Sequence, residues 1–537
     1  MSKWLIKPWI ILALYGAFAL FGLSVLSQPA NSITDLSESE PVTIISKNSN
    51  IAKVLPSQNS IQPLTNCKDF DNGQNVYVRS AVMSAVEDQS ENFYLDKCVT
   101  SGTASSLEYY SKLQEYSCVN QQMVSRIIDC PYGCISGACR PAPTKGTVYV
   151  VHAVDTERAA FNPRVYSNDL SSSDFGPGSN VDYVFGQTYR NANKDSFGGS
   201  IKLSWFLMNH EGYCRSQQGD CNSVNTAIKP YANKITGYDD ALGWHFHLSD
   251  WTDINNDDVF FWNQLLTFNS TFYEHGTDIQ LAEKMLASQI LDQQFFPAMY
   301  RSGWGWENND YSNWLEDIFP FDLTNLSPGY GLQTLADGIG NVYNWHDAPA
   351  DWSWYHPSPT NYQQPGSQKR IMFRCGGDVS DMIQAFAKAN QGQDVMICTY
   401  NHNYFPYFGQ YSLLTTLNFI KQWYYPDIKF KFVNAMEGIR IMLNLFDEEP
   451  PVAELIRVGN TYTLQTNEQL YAYPYGAIKD SNGNYWRVKP IQSVPDLAGG
   501  KYSWTFNLEG RNYVEFAAAG SDKSGNTFVT QKLTNKF

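Results

Sequence analysis

Residues 242–250 read Leu242-Gly243-Trp244-His245-Phe246-His247-Leu248-Ser249-Asp250. Leu242, Trp244, Phe246 and Leu248 alternate with Gly243, His245 and His247, the period-two pattern of a pleated strand. Both imidazoles therefore leave one face. Positions two apart on a strand lie roughly 7 Å apart along the chain, and two rings tilting to one point can share a metal at about 2 Å from each nitrogen. Gly243 shares that face, and its missing side chain is expected to leave room beneath the ion. An apolar outer face and a two-imidazole inner face suit a barrel whose interior opens into a site. The competing reading is two hydrogen-bonded imidazoles at a solvated strand end, and neighbouring stretches must decide between them.

Working outward, strands are expected at 147–157, 200–208, 297–302, 321–323, 370–374, 394–400 and 429–433. Helical patterns lie at 278–293, 311–317, 379–389 and up to Leu443. Such alternation over roughly 300 residues predicts a parallel α/β barrel. The insertions at 158–199 and 329–369 read as loops at its rim.

Barrel enzymes place their chemistry where strands end, and three more strand ends are polar. The first closes Ala153-Val154-Asp155-Thr156-Glu157, so both carboxylates emerge on the face of Tyr149 and Val151. One can ligate a metal while the other acts as general base. His152 falls on the opposite face and reads as structural. A second strand ends Tyr300-Arg301-Ser302-Gly303-Trp304, where a guanidinium can orient a carboxylate. The strand at 394–400 runs into Asn401-His402-Asn403-Tyr404. His210, His275, His346 and His356 have no defined strand-end context. Trp304, Trp306, Trp354 and Tyr404 are the candidates for stacking on a sugar ring.

This ordered set resembles the polysaccharide deacetylase family, carbohydrate esterases on an irregular (β/α) barrel, over about residues 146–447. The resemblance is carried by Asp155 and Glu157 ending the first strand, by Gly243-Trp244-His245 with a second His, by Arg301, and by His402. It implies that Asp155 takes a proton from water, that Glu157 and His245 hold a divalent metal, commonly zinc, that Arg301 orients Asp155, and that His402 protonates the leaving amine. The chain departs from the family pattern in three places. One residue separates its two acids and the second is Glu. Ser249 stands at the usual second-His position, leaving His247 or Asp250 to complete the metal site. Gly303 occupies a place that is often Pro. The strand pattern favours His247, because Asp250 lies beyond Leu248, where the strand direction is free to change.

The flanks set the context. Lys3 and Lys7 precede an uncharged run over residues 9–26, near the ~20 residues that span a bilayer. Residues 1–27 are therefore expected to form a membrane anchor, a cleaved signal peptide being the rival, and 28–65 a flexible stalk. Six of the ten Cys fall within 66–140, the density of a disulfide-stapled module in an exported chain. Zinc on Cys130, Cys134 and Cys139 is the alternative. Pairing cannot be deduced there, and Cys375 and Cys398 read equally as a pair or as free thiols. A disulfide between Cys214 and Cys221 is expected. After Glu448-Glu449-Pro450-Pro451, residues 452–537 show short alternating strands and turn signals. That is an all-β sandwich reading, similar to immunoglobulin-like repeats of prokaryotic surface proteins. The fold class expected is thus multidomain, an irregular (β/α) barrel with a small disulfide-rich module and a C-terminal sandwich.

The net charge of -15 argues against nucleic acid as a partner. The functional expectation is an exported, membrane-anchored hydrolase that removes N-acetyl groups from a polysaccharide with a divalent metal, zinc first. The runners-up are a non-catalytic glycan-binding surface protein on the same barrel, and a glycoside hydrolase that uses two carboxyls.

Overall fold

The computed structural model describes residues 66–71, 75–85, 92–99, 111–141, 145–157, 175–210, 220–247, 250–252, 261–263, 278–326, 333–334, 340–341, 345, 347–403, 410–496 and 501–535. The expected anchor and stalk lie outside them. Among the described residues no helix is long and apolar enough to cross a membrane.

The centre is a curled, wholly parallel sheet of eight strands, a half-barrel: β1 Thr147–Thr156, β2 Ser204–Met208, β3 Ala241–Phe246, β4 Met299–Ser302, β5 Phe321–Asn325, β6 Ile371–Arg374, β7 Val395–His402 and β8 Lys429–Phe432. Their order is β6-β5-β4-β3-β2-β1-β7, with β8 beside the first half of β1. Every residue of β1 is buried, as expected of a parallel strand covered on both faces. Its side chains sort by the period of two. Tyr149, Val151 and Ala153 join Phe206, Met299, Leu323, Phe373 and Met396 inside the curl. Val148, Val150 and Val154 pack outward with residues of the surrounding helices.

Five longer helices cover the sheet: α1 Asp278–Gln293, α2 Asn309–Glu316, α3 Val379–Asn390, α4 Gln410–Trp423 and α5 Ala435–Leu443. α3 starts in a reciprocal capping box between Asp378 and Asp381, which satisfies two otherwise unpaired backbone donors. The sequence reading has no counterpart for α4, although Leu413, Leu417 and Ile420 bury at helical spacing. It also treats 158–199 as a rim loop. The described part of that stretch instead holds two short helices, Asn180–Val184 and Gln187–Ala192. Their apolar residues Val181, Val184, Phe185 and Tyr189 are buried, and Phe185 stacks on Trp205 and Tyr231. The Ser, Gly and Asn around them mask a helical spacing only a few residues long.

Arg190 closes this layer. Its side chain and that of Asp240 are fully enclosed, joined by two bonds of 2.8 and 2.7 Å. The guanidinium also lies 4.4 Å from the centre of the Tyr238 ring. Asp240 in turn accepts from Leu203 N–H and Trp205 Nε1, so one buried carboxylate ties β2 to the turn before β3.

Before the half-barrel, short antiparallel sheets form from Asn66–Asp69, Ala81–Ala85 and Asn92–Leu95, and from Lys97–Val99, Lys112–Val119 and Gln122–Asp129. Disulfides join Cys67 to Cys118, Cys98 to Cys134 and Cys130 to Cys139. All six sulfurs are thereby used, which leaves no thiolate for zinc. The apolar core here is little more than Leu113 with cystines. Cross-links worth about 2–4 kcal/mol each replace the burial that so small a segment cannot supply. Arg79 connects the segment to the half-barrel, 3.6 Å from Asp239 and 3.4 Å from Glu448. Asp239 also meets Lys202 at 2.8 Å.

After α5 come two antiparallel sheets. One holds Ala453–Val458, Thr461–Thr466, Lys501–Asn507 and Gln492–Asp496. The other is built on Tyr475–Lys479, Tyr485–Val488 and Glu515–Ser521. Leu464 and Phe506 of the first meet Ile478 and Phe516 of the second in one core. The opposite face of the second sheet, Tyr475, Ala477, Ala517 and Ala519, packs on Met285, Leu286 and Ile290 of α1. The alanines leave room for the helix, and Tyr475 Oη donates 2.6 Å to the Glu283 carbonyl.

Arg190→Ala would leave the Asp240 carboxylate buried with a charge partner missing. It is expected to destabilise the chain by about 3–5 kcal/mol, read from the urea midpoint. A change under about 1 kcal/mol would show that Asp240 does not depend on the ion pair.

Candidate metal centre

The site forms because the strands run parallel and end together. β7 is in register with β1 so that His402 stands beside Asp155, and β4 with β3 so that Arg301 stands beside His245. Side chains from four strand ends thereby point into one layer.

Glu157 lies at its centre. Its Oε1 is 3.0 Å from His245 Nε2 and 3.0 Å from His247 Nε2, and 3.7 Å from His402 Nε2. Glu157, His245 and His247 are all buried, and one donor atom from each lies within 4.8 Å of the others. The imidazoles meet edge to face, their centroids 5.0 Å apart. β3 ends at Phe246, yet His247 keeps the strand's period and reaches the same carboxylate as His245.

The surroundings fix these groups. His245 Nδ1 donates to the Arg301 carbonyl at 2.9 Å. A carbonyl only accepts, so Nδ1 carries a proton; Nε2 faces Glu157 Oε1, and it is the atom whose lone pair would ligate an ion placed there. Arg301 Nε donates to Asp155 Oδ1 at 2.7 Å. Its Nη1 donates to the carbonyls of Leu323 at 2.8 Å and Cys375 at 3.2 Å, and its plane lies 4.1 Å from the Tyr400 ring centre. Cys375 is disulfide-bonded to Cys398 of β7, which settles the two readings open from the sequence. The same cystine ties the support of Arg301 to the strand that carries His402.

Burial pushes the Asp155 carboxyl up, but Arg301, His245 and His402 outweigh it and hold it below the usual aspartate range. Glu157 is held well below the usual glutamate range, because the imidazoles outweigh its burial. Burial lowers His245, and Asp155 with Glu157 more than reverses that, so it stands above the ordinary histidine value. For His247 burial outweighs Glu157 and the value falls, which favours the neutral ring that ligates metals.

Two imidazoles and one carboxylate, each presenting a lone pair to a common point, make a donor set of the kind that holds catalytic zinc. Neighbouring donors 3.0 Å apart suit an ion about 2 Å from each. Zinc fits these residues.

The other expected residues divide. His402 ends β7 beside Asp155, with its side chain 27% exposed, the most open of the cluster. His152 is buried and bonded to Thr399 Oγ1 at 2.8 Å. Asp250 begins a short strand, Asp250–Thr252, whose side chains lie outside the description, as does the Trp304 side chain. Tyr404 and His346 also lie outside the described residues. Trp306, expected to stack on sugar, is 1% exposed and packs on Tyr311. Its face is spent on the core, because the chain turns inward after the strand. Of the aromatic insertion, Trp345, Tyr355 and Tyr362 form a packed cluster with Met372, while Trp354 remains 37% exposed. Cys221 is disulfide-bonded.

Glycine supplies two findings. The space beneath the cluster expected at Gly243 is taken by Phe206, whose ring lies 2.6 Å from where a Cβ would stand. The glycine that makes room for the site is Gly303. A Cβ there would fall 2.3 Å from His247 Cγ and Cδ2. Sequence reading also passes over Asn403. It is fully buried, accepts from Glu157 N–H at 2.8 Å and donates to the Glu157 carbonyl at 2.9 Å. A lone Asn after a strand looks like a turn, and its only visible signal is its place next to His402.

No protein-family model, curated protein or solved structure matches this chain.

Gly303→Ala would push the His247 ring from its place while leaving every donor atom in the chain. Metal affinity, measured by chelator competition, is expected to fall by about 10–100-fold. His247→Ala is expected to lose the metal and Asp250→Asn to keep it. Metal retained without His247 and lost without Asp250 would show that the third ligand comes from beyond β3.

Proposed function

We propose that this chain is an exported, metal-dependent hydrolase that removes N-acetyl groups from an extracellular polysaccharide. In this reading the half-barrel is a polysaccharide deacetylase-like (β/α) barrel, flanked by a disulfide module and an immunoglobulin-like sandwich. The observation that carries it is the meeting of Glu157, His245 and His247 on one point, with an Arg301-clamped Asp155 and His402 beside it. The disulfides support export.

Glu157, His245 and His247 would hold a divalent ion, zinc by donor type. Such an ion lowers the pKa of a bound water and polarises an acetamide carbonyl. Asp155, kept ionised by Arg301, is the base that removes the water proton. Arg301 is itself fixed by two carbonyls and an aromatic face, so Asp155 is aimed before substrate arrives. His402, on the open side, donates the proton that lets the amine leave. His245 is oriented by the Arg301 carbonyl, and Asn403 holds the Glu157 backbone from both sides.

The pattern weighs against a glycoside hydrolase. That chemistry needs one carboxyl kept protonated with a raised pKa, whereas the surroundings of both Asp155 and Glu157 lower theirs.

The test is metal analysis of the full chain together with acetate release from N-acetylated amino-sugar oligomers. One equivalent of zinc is expected. Asp155→Ala should lose activity by about 10²–10⁴-fold with metal retained, and His402→Ala should slow turnover without releasing metal. Glycan binding that survives chelation, with no acetate above the Asp155→Ala background, would replace this reading with that of a non-catalytic glycan-binding protein.

A further inference from the structure

A second group of ligand-type side chains lies away from the half-barrel, among the disulfides. Asp71, Asp96 and Glu115 each bring one carboxylate oxygen within 4.8 Å of the others. Their provenance is diverse: Asp71 follows the strand Asn66–Asp69, Asp96 follows Asn92–Leu95, and Glu115 lies within Lys112–Val119.

Glu115 is the telling member. It occupies an inward position of its strand, two residues from buried Leu113 and two from buried Ser117. It is 1% exposed, and neither of its carboxylate oxygens has a hydrogen-bond partner among the described residues. An unpaired carboxylate in a core costs several kcal/mol, so such a group is expected to have a counter-charge. Asp96, also enclosed, is by contrast held firmly: its Oδ2 accepts Ser80 N–H at 2.8 Å and its Oδ1 accepts Tyr116 N–H at 2.9 Å. Asp69 stands behind the group, accepting from Asp71 N–H and Cys118 N–H.

The carboxylates cannot spread apart to relieve their repulsion. The Cys67–Cys118 bond anchors the two strands that carry Asp69 and Glu115, and Cys98–Cys134 lies two residues beyond Asp96. The cations that face the group are committed elsewhere. Arg79 acts on Asp96 but also pairs with Asp239 and Glu448. Lys194 acts on Asp71 and bonds Ser200 Oγ at 2.8 Å.

We propose that Asp71, Asp96 and Glu115 form a calcium site that locks the disulfide-rich segment. All three donors are hard oxygens with no nitrogen or sulfur among them, which selects calcium or magnesium over zinc. Oxygens up to 4.8 Å apart match the span across an ion that holds each at about 2.4 Å, the calcium distance, and calcium tolerates the irregular geometry of three separate strands. The site is separate from the Glu157–His245–His247 centre in both position and ligand chemistry.

Without a cation, burial and then the neighbouring carboxylates push Asp96 and Glu115 each up to about 8. The folded chain then holds protons that the unfolded chain, titrating near 4, releases. That contribution to stability is present below about pH 4 and is lost as pH rises toward 8. The other groups facing the pair are Asp69, Asp71, Tyr94, Tyr116, Arg79 and Lys194.

The test uses the full chain, stripped with chelator and refilled at the barrel site with zinc. Calcium is titrated, with terbium luminescence excited through Tyr94 and Tyr116 as a second probe. One calcium is expected to bind with Kd of about 10⁻⁴–10⁻³ M, the range of extracellular modules. It should raise the thermal midpoint more at pH 8 than at pH 5. Glu115→Gln keeps the side-chain shape and should weaken calcium at least tenfold while zinc content stays at one equivalent, which reports a folded chain. His245→Ala should leave the calcium response unchanged, so failure of the zinc reading and failure of this one are distinguishable. The proposal is overturned if wild type shows no calcium-dependent luminescence or midpoint shift, if Glu115→Gln responds like wild type, or if stability falls from pH 4 to 8 equally with and without calcium.

Discussion

The constraint on which the structure depends is that the parallel strands β1, β3, β4 and β7 end in one layer with a fixed register. Parallel pairing leaves the apolar side chains of β1 buried on both faces, and the two carboxylates come at its carboxyl end, where neighbouring strands supply their partners. Register then decides what they meet. His402 is brought beside Asp155 and Arg301 beside His245 because β7 pairs with β1, and β4 with β3, at those positions. A slip of one residue would turn His245 and His247 into the outer core that Trp244 and Phe246 occupy.

Charges brought together in this way need support, and the chain provides it through carbonyls and one amide. Arg301 is held by two backbone carbonyls, so its ion pair with Asp155 forms without further ordering of a long side chain. The cystine between Cys375, the residue after β6, and Cys398 of β7 links the two edge strands of the curled sheet. The acidic group at Asp71, Asp96 and Glu115 has no such internal balance, since each of its members carries the same sign.

The rest of the described chain holds the half-barrel from two directions. Arg79 reaches from the disulfide-rich segment to Asp239, just before β3. The C-terminal sheet presses three alanines and a tyrosine onto α1. Alternation lets a single strand, Glu515–Ser521, serve two cores at once, with Ala517 and Ala519 on the face toward α1 and Phe516 and Ala518 on the face toward the other sheet.

The sequence by itself determined the alternation of strands and helices, the face shared by Asp155 and Glu157, the face shared by His245 and His247, and the reading of 66–140 as disulfide-rich. These are properties of short range, since a period of two is set by backbone geometry within a few residues. Only the tertiary structure decided which groups meet. Glu157 and His245 are 88 positions apart in the chain, and Glu157 and Asn403 are 246 apart. No local pattern encodes such encounters, so Asn403 passes for a turn residue and Trp306 for a surface ring. The glycines show the same limit. From sequence, the open space was assigned to Gly243 because it shares a strand face with the imidazoles. In the fold, Phe206 of β2 fills that space, and Gly303, at the end of β4, clears the way for His247. Free volume belongs to the packing of neighbouring strands, and a single strand does not contain that information.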